Sequence, residues 1–129
     1  MSHFLQIGIS LLLILLMPET GSSKAKPPLR IGMSTALSGP ASDLGLSMKR
    51  GIETYFHHIN KQGGIKGRPL QLLALDDGYQ PTSAAANMRR LAQDDEVLAI
   101  IGNVGTPTAM VTVPIANREK VLLFGAFTG

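Results

Sequence analysis

Three observations predict an α/β fold with a parallel, doubly wound sheet. Short apolar runs of strand length alternate with stretches of helical periodicity, and glycine or proline punctuates the changes between them. One run, 97–101 (VLAII), is apolar at every position, the pattern of a strand covered on both faces. The order βαβαβαβ that results implies parallel strands with helices on both sides of the sheet.

Residues 29–36 (LRIGMSTA) form the first expected strand, bounded by Pro27-Pro28 and by Ser38-Gly39-Pro40. Met48, Ile52, Tyr55, Phe56 and Ile59 then fall on one face of a helix, which Gly63-Gly64 should stop. Gly67-Arg68-Pro69 turns into a second strand at 70–75 (LQLLAL), ended by Asp76-Asp77-Gly78. Pro81 suits the first turn of the next helix, where its missing N–H costs nothing, and Ala84, Ala85, Met88, Leu91 and Ala92 make its buried stripe. After the third strand, 97–101, comes the turn Gly102-Asn103-Val104-Gly105. Thr106-Pro107 reads there as N-cap followed by first helical residue. The third helix should reach about Asn117, kinked or shortened by Pro114, and 121–124 (VLLF) is a fourth strand.

The chain has 129 residues, enough for one domain. With 44% hydrophobic and 16% charged residues it is not a disordered polyelectrolyte. The absence of cysteine excludes a disulfide framework, a cysteine-ligated metal and thiol catalysis. A net charge of +3 is scattered without a basic stripe, so no nucleic-acid partner is expected.

Residues 7–17 (IGISLLLILLM) are apolar but far short of the roughly 20 that span a bilayer. Followed by Pro18 and by small residues through Ala25, they read as a secretory signal over 1–25, leaving 26–129 to fold outside the cytoplasm. The n-region carries His3 but no Lys or Arg, and the alternative is a short hydrophobic anchor that stays attached. No cysteine follows, so lipoprotein anchoring is excluded. The pattern stops directly after the fourth strand, which reads as the front part of a longer protein, with 121–124 at an unprotected sheet edge.

Catalytic signatures are missing. There is no G-x-G-x-x-G after the first strand, no P-loop and no complete nucleophile elbow, so neither a cofactor nor an enzymatic role is expected. Asp76-Asp77 could hold a cation or a phosphoryl group, but the better reading is acceptors for backbone N–H groups in a turn. His57-His58 and Arg89-Arg90 read as solvated faces, and no metal site is expected.

Ligands of such sheets bind outside the carboxyl ends of the strands, here 37–45, 76–80, 102–106 and 125–129. The turn 102–108 (GNVGTPT) lets backbone approach a small ligand and offers Thr106 where helix N–H groups converge, which suits a carboxylate or an amide oxygen. The plainer reading is a simple threonine cap. The neighbouring tail 125–129 (GAFTG) could add a second set of backbone and hydroxyl contacts.

Five segments stand together in order and spacing: IGMSTALSGPASDLG at 31–45, INKQGGIKG at 59–67, LDDGYQP at 75–81, IIGNVGTPT at 100–108 and FGAFTG at 124–129. In them the chain resembles the N-terminal lobe of type I periplasmic solute-binding proteins of the leucine/isoleucine/valine-binding family, the substrate-binding receptors of ABC importers. The resemblance implies a two-lobed protein that closes over a branched-chain amino acid, or a related small amide or amino-acid-like ligand, and then presents itself to a membrane permease. It implies ligand-carboxylate contacts at Gly105 and Thr106, with ammonium and carboxylate contacts at Phe127, Thr128 and Gly129. Leu44 matches a pocket-lining position that is often aromatic in the family, and the cysteine pair of some members is absent. The alternatives are a truncated fragment without function and the ligand-sensing domain of a signalling protein.

Overall fold

The computed structural model describes residues 26–93 and 97–127. The expected signal at 1–25, together with Thr128 and Gly129, lies outside them. Four parallel strands are described: β1 (Leu29–Thr35), β2 (Leu70–Asp76), β3 (Val97–Ile101) and β4 (Leu123–Phe124), in the order β2-β1-β3-β4. They alternate with helices α1 (Ser42–Lys61), α2 (Pro81–Gln93) and α3 (Thr106–Glu119).

The strand order fixes the layers. The chain steps one way from β1 to β2 and the other way from β2 to β3 to β4, so right-handed crossovers put α1 on one face and α2 with α3 on the other. Met88 and Leu91 of α2, Ile115 and Ala116 of α3 and Ile100 of β3 form the buried core on that second face. Along β1 the side chains alternate accordingly. Gly32 lies under Leu91 and Ile100, and Ser34 meets Asn87 of α2, whereas Thr35 faces Gly45 of α1.

Several boundaries differ from the sequence reading. Helix α1 begins at Ser42, so Leu44 stands on a helical turn rather than in a loop. Tyr55, on the apolar helix face with Met48, Ile52, Phe56 and Ile59 by its spacing, is 62% exposed. Strand β3 is not covered along its whole length: Leu98 is 64% exposed. Helix α3 runs through Pro114 to Glu119. The proline sits on the exposed side, where the Met110 carbonyl it deprives of a donor can be hydrated. Strand β4 is shorter than 121–124, is the outer strand of the described sheet, and leaves Phe124 exposed as the edge reading anticipated.

Gly45 sets how closely α1 approaches the end of β1. A Cβ at that position would stand 1.9 Å from the Ala36 carbonyl oxygen, a backbone atom that cannot swing aside. Gly51, two turns further along the same helix, has open space where its Cβ would be. Gly45→Ala should therefore lower unfolding stability by about 3 kcal/mol. Gly51→Ala should raise it by about 0.5–1 kcal/mol through helix propensity. Urea titration of the two variants checks this, and similar midpoints for both would show that α1 is not pressed against β1.

Candidate ligand-binding edge

Strands β1 and β3 are neighbours, yet the chain leaves them toward opposite faces of the sheet. The crevice between their carboxyl ends is the topological switch point where open α/β sheets take their ligands. Four loops meet along this edge. Between the first two, Gly39 and Gly78 approach closely, and the Ser38 hydroxyl lies within contact distance of Gly78.

The third and fourth loops are joined by backbone. Phe127 N–H donates to the Asn103 carbonyl at 2.7 Å, and Gly105 N–H donates to the Phe127 carbonyl at 2.7 Å. Gly102 N–H reaches the Phe124 carbonyl at 3.2 Å, so the β3–β4 ladder continues past both strands as an isolated Val104–Phe127 bridge. Among the expected site residues, Gly105, Thr106 and Phe127 are thereby brought together. Leu44 lies on the first turn of α1, 45% exposed, as is Phe127.

Thr106 is the first residue of α3 and not its cap. The chain turns into the helix one residue earlier, at Gly105, with φ 99 and ψ 141. No side chain caps this end, and Pro107 has no N–H, so the N–H groups of Thr106 and Thr108 are donors that no capping side chain satisfies. Thr106 is exposed. Thr108 points inward and donates to the Val104 and Gly105 carbonyls at 2.5 and 2.8 Å, fastening the turn from below. An uncapped helix N-terminus with a neighbouring hydroxyl is chemically suited to a small anion.

A buried polar network supports these loops. Ser34 Oγ donates to Asp77 Oδ2 at 2.9 Å and accepts from Asn87 Nδ2 at 3.3 Å. Asn103 Nδ2 donates to the Ser34 carbonyl at 3.3 Å, while its Oδ1 accepts from Thr112 Oγ1 at 3.3 Å. Asp77 Oδ1 takes the Tyr79 N–H at 2.9 Å, and Asp76 Oδ1 takes those of Leu37, Ser38 and Gly78. Both aspartates thus act as turn acceptors. Among the described residues no group of three or more metal-ligating side chains occurs, and His57, His58, Arg89 and Arg90 are exposed.

The two carboxyls differ electrostatically. A hydrogen bond from the Ser38 side chain, with backbone N–H groups, holds exposed Asp76 below the usual carboxylate value. Burial pushes Asp77 above it, against the opposing pull of Ser34 and the Tyr79 N–H.

Tyr79 carries no site signature in the sequence. It has a left-handed backbone, φ 64, and its ring fills the space beside Gly105 where a side chain would project. The dipeptide Gly78-Tyr79 in LDDGYQP marks a turn, but the contact with Gly105 depends on two distant loops meeting.

Comparison with known proteins agrees with this architecture. Residues 28–129 match the family described as periplasmic binding protein. The chain is 35% identical over 102 residues to a chemotactic signal transduction system substrate-binding protein of Halobacterium salinarum, covering 76% of this chain and 25% of that one. It is 30% identical to Leu/Ile/Val-binding protein homolog 3 of Brucella melitensis, covering 79% and 27%. A crystal structure from Rhodopirellula baltica, described as a possible leucine/isoleucine/valine-binding protein, superposes with a TM-score of 0.76 at 51% identity, covering 81% of this chain and 28% of that one. The chain spans about a quarter of the length of these curated relatives, and so corresponds to part of one lobe.

The raised Asp77 carboxyl gives a signed prediction. The folded state keeps this proton to a higher pH than the unfolded state does. Its contribution to stability is therefore complete below the unfolded pKa and is lost as pH rises through the raised folded value. Asp77→Asn keeps an acceptor for Tyr79 and does not titrate. From neutral pH down toward about pH 4, wild-type stability should rise relative to the variant in urea melts. A constant difference across that range would contradict a carboxyl penalised by burial.

The type I fold, the switch-point loops and the match over 28–129 agree, and the chain belongs to the periplasmic binding protein family.

Proposed function

We propose that this chain supplies one wall of an extracytoplasmic solute-binding receptor for an ABC importer, exported by a signal at 1–25 and folded from residue 26 onward. The ligand is a branched-chain amino acid or a related amino-acid-like solute. Its carboxylate docks beside Gly105 on the Thr106 N–H group and the Thr106 hydroxyl. Phe127, Thr128 and Gly129 contribute from the adjoining loop, and Leu44 borders the ligand's side chain. Binding makes and breaks no covalent bond and needs no cofactor or metal. Competent pockets bury roughly 70–90% of a ligand's surface. One wall cannot do that, so a second lobe closes over the ligand, and the closed form is what the permease in the membrane recognises.

The observation that carries this reading is the backbone pairing of the 103–105 turn with Phe127 beside an uncapped helix N-terminus. The names of the relatives support the ligand class. The resemblance to a chemotactic substrate-binding protein favours a second reading, in which the same binding step reports to a signalling partner. Among the described residues no helix is long and apolar enough to cross a membrane.

In the complete product of the gene, Thr106→Ala should weaken L-leucine binding by about 1–2 kcal/mol, the loss of a hydrogen bond to a charged group. Isothermal calorimetry measures this, and unchanged affinity would remove Thr106 from the site.

A further inference from the structure

We propose that Tyr79 is a ligand-contacting, specificity-determining residue, whose phenol hydroxyl pairs with Thr106 to bracket the ligand's carboxylate. This rests on the reading that such a carboxylate docks at the start of α3. The argument begins with the backbone. Gly78 and Tyr79 are consecutive left-handed residues, φ 55 and 64, a conformation natural for glycine and unfavourable for an aromatic residue. Two hydrogen bonds to Asp77 hold it: Tyr79 N–H to Oδ1 at 2.9 Å and Gln80 N–H to the Asp77 carbonyl at 2.9 Å. Asp77 is itself anchored by buried Ser34.

This conformation sends the ring across to the third loop. A Cβ on Gly105 would fall 2.3 Å from Tyr79 Cε2, 2.7 Å from Cζ and 2.8 Å from the hydroxyl oxygen. The polar end of the ring therefore stands against the residue that caps α3, one position before Thr106. Glycine at 105 is what makes room for it. The ring is half-buried, and among the described residues its hydroxyl has no hydrogen-bond partner. A phenol O–H standing against Gly105, one residue before the uncapped Thr106 N–H, gives a carboxylate a further donor. The arrangement selects for an ionised acid over its neutral amide, because a charged acceptor strengthens each of these bonds.

The test compares L-leucine with L-leucinamide by calorimetry on the complete gene product, wild type and Tyr79→Phe, with thermal melts of both. Tyr79→Phe keeps the ring against Gly105 and removes only the hydroxyl. It should weaken L-leucine binding about tenfold, change L-leucinamide binding by less than about twofold, and leave the melting temperature unmoved. Equal weakening for both ligands would assign Tyr79 a packing role and overturn the proposal. Wild-type affinity for L-leucine in the variant would overturn it while leaving the proposed function intact. A wild-type protein that binds neither ligand would overturn both.

Discussion

The candidate site depends on one interaction: the reciprocal pair of backbone hydrogen bonds through which Phe127 clasps the Asn103–Gly105 turn. Parallel strands end where their hydrogen bonds end, and the loops beyond them ordinarily diverge toward their own helices. Here the ladder continues past β3 and β4, so two loops behave as one surface. Their glycines keep that surface shallow, since side chains at Gly102 or Gly105 would collide with Met33 and Met48 or with Tyr79. Small residues at this edge are thus imposed by packing, and the exposed part of the turn begins at Thr106.

Beneath this surface the protein buries polar groups where a purely structural sheet would place aliphatic ones. Ser34, Asp77, Asn103, Thr108 and Thr112 are all buried, and each makes a hydrogen bond. Buried polar groups are costly unless paired, and pairing fixes direction as apolar packing does not. The network ties β1 to the loops after β2 and β3 and to the flanking helices α2 and α3. It accounts for a turn that presents donors in a fixed arrangement without a capping side chain. The burial that raises Asp77 is a consequence of placing an acceptor where only the Tyr79 N–H and the Ser34 hydroxyl can use it.

Much of this architecture is legible in the sequence because its cues are local. Proline and glycine mark the ends of elements, and Gly63-Gly64 stops α1 with positive φ at both residues. The apolar stripe of α2 is buried at Ala84, Met88 and Leu91 as its spacing requires. What the sequence did not disclose depends on contacts between distant segments. Thr106 looks like a cap because threonine before proline usually is one. The Tyr79 ring, lying where a residue-105 side chain would go, accompanies a helix entry shifted to Gly105. Tyr55 falls between the partly buried Ile52 and Phe56 yet is itself exposed, and Leu98 occupies a stretch of β3 without cover among the described residues. The pairing of Phe127 with the 103–105 turn was expected only as proximity, and its hydrogen bonds follow from the β3–β4 register.

The most direct test is a titration of the isotopically labelled, complete gene product with L-leucine, followed through its backbone amide resonances. Hydrogen bonding of a carboxylate to the start of α3 should move the Gly105, Thr106 and Thr108 amides together and saturably, with Phe127 following because it is bonded to the same turn. Saturable binding that leaves these four amides unmoved and shifts others instead would contradict the account.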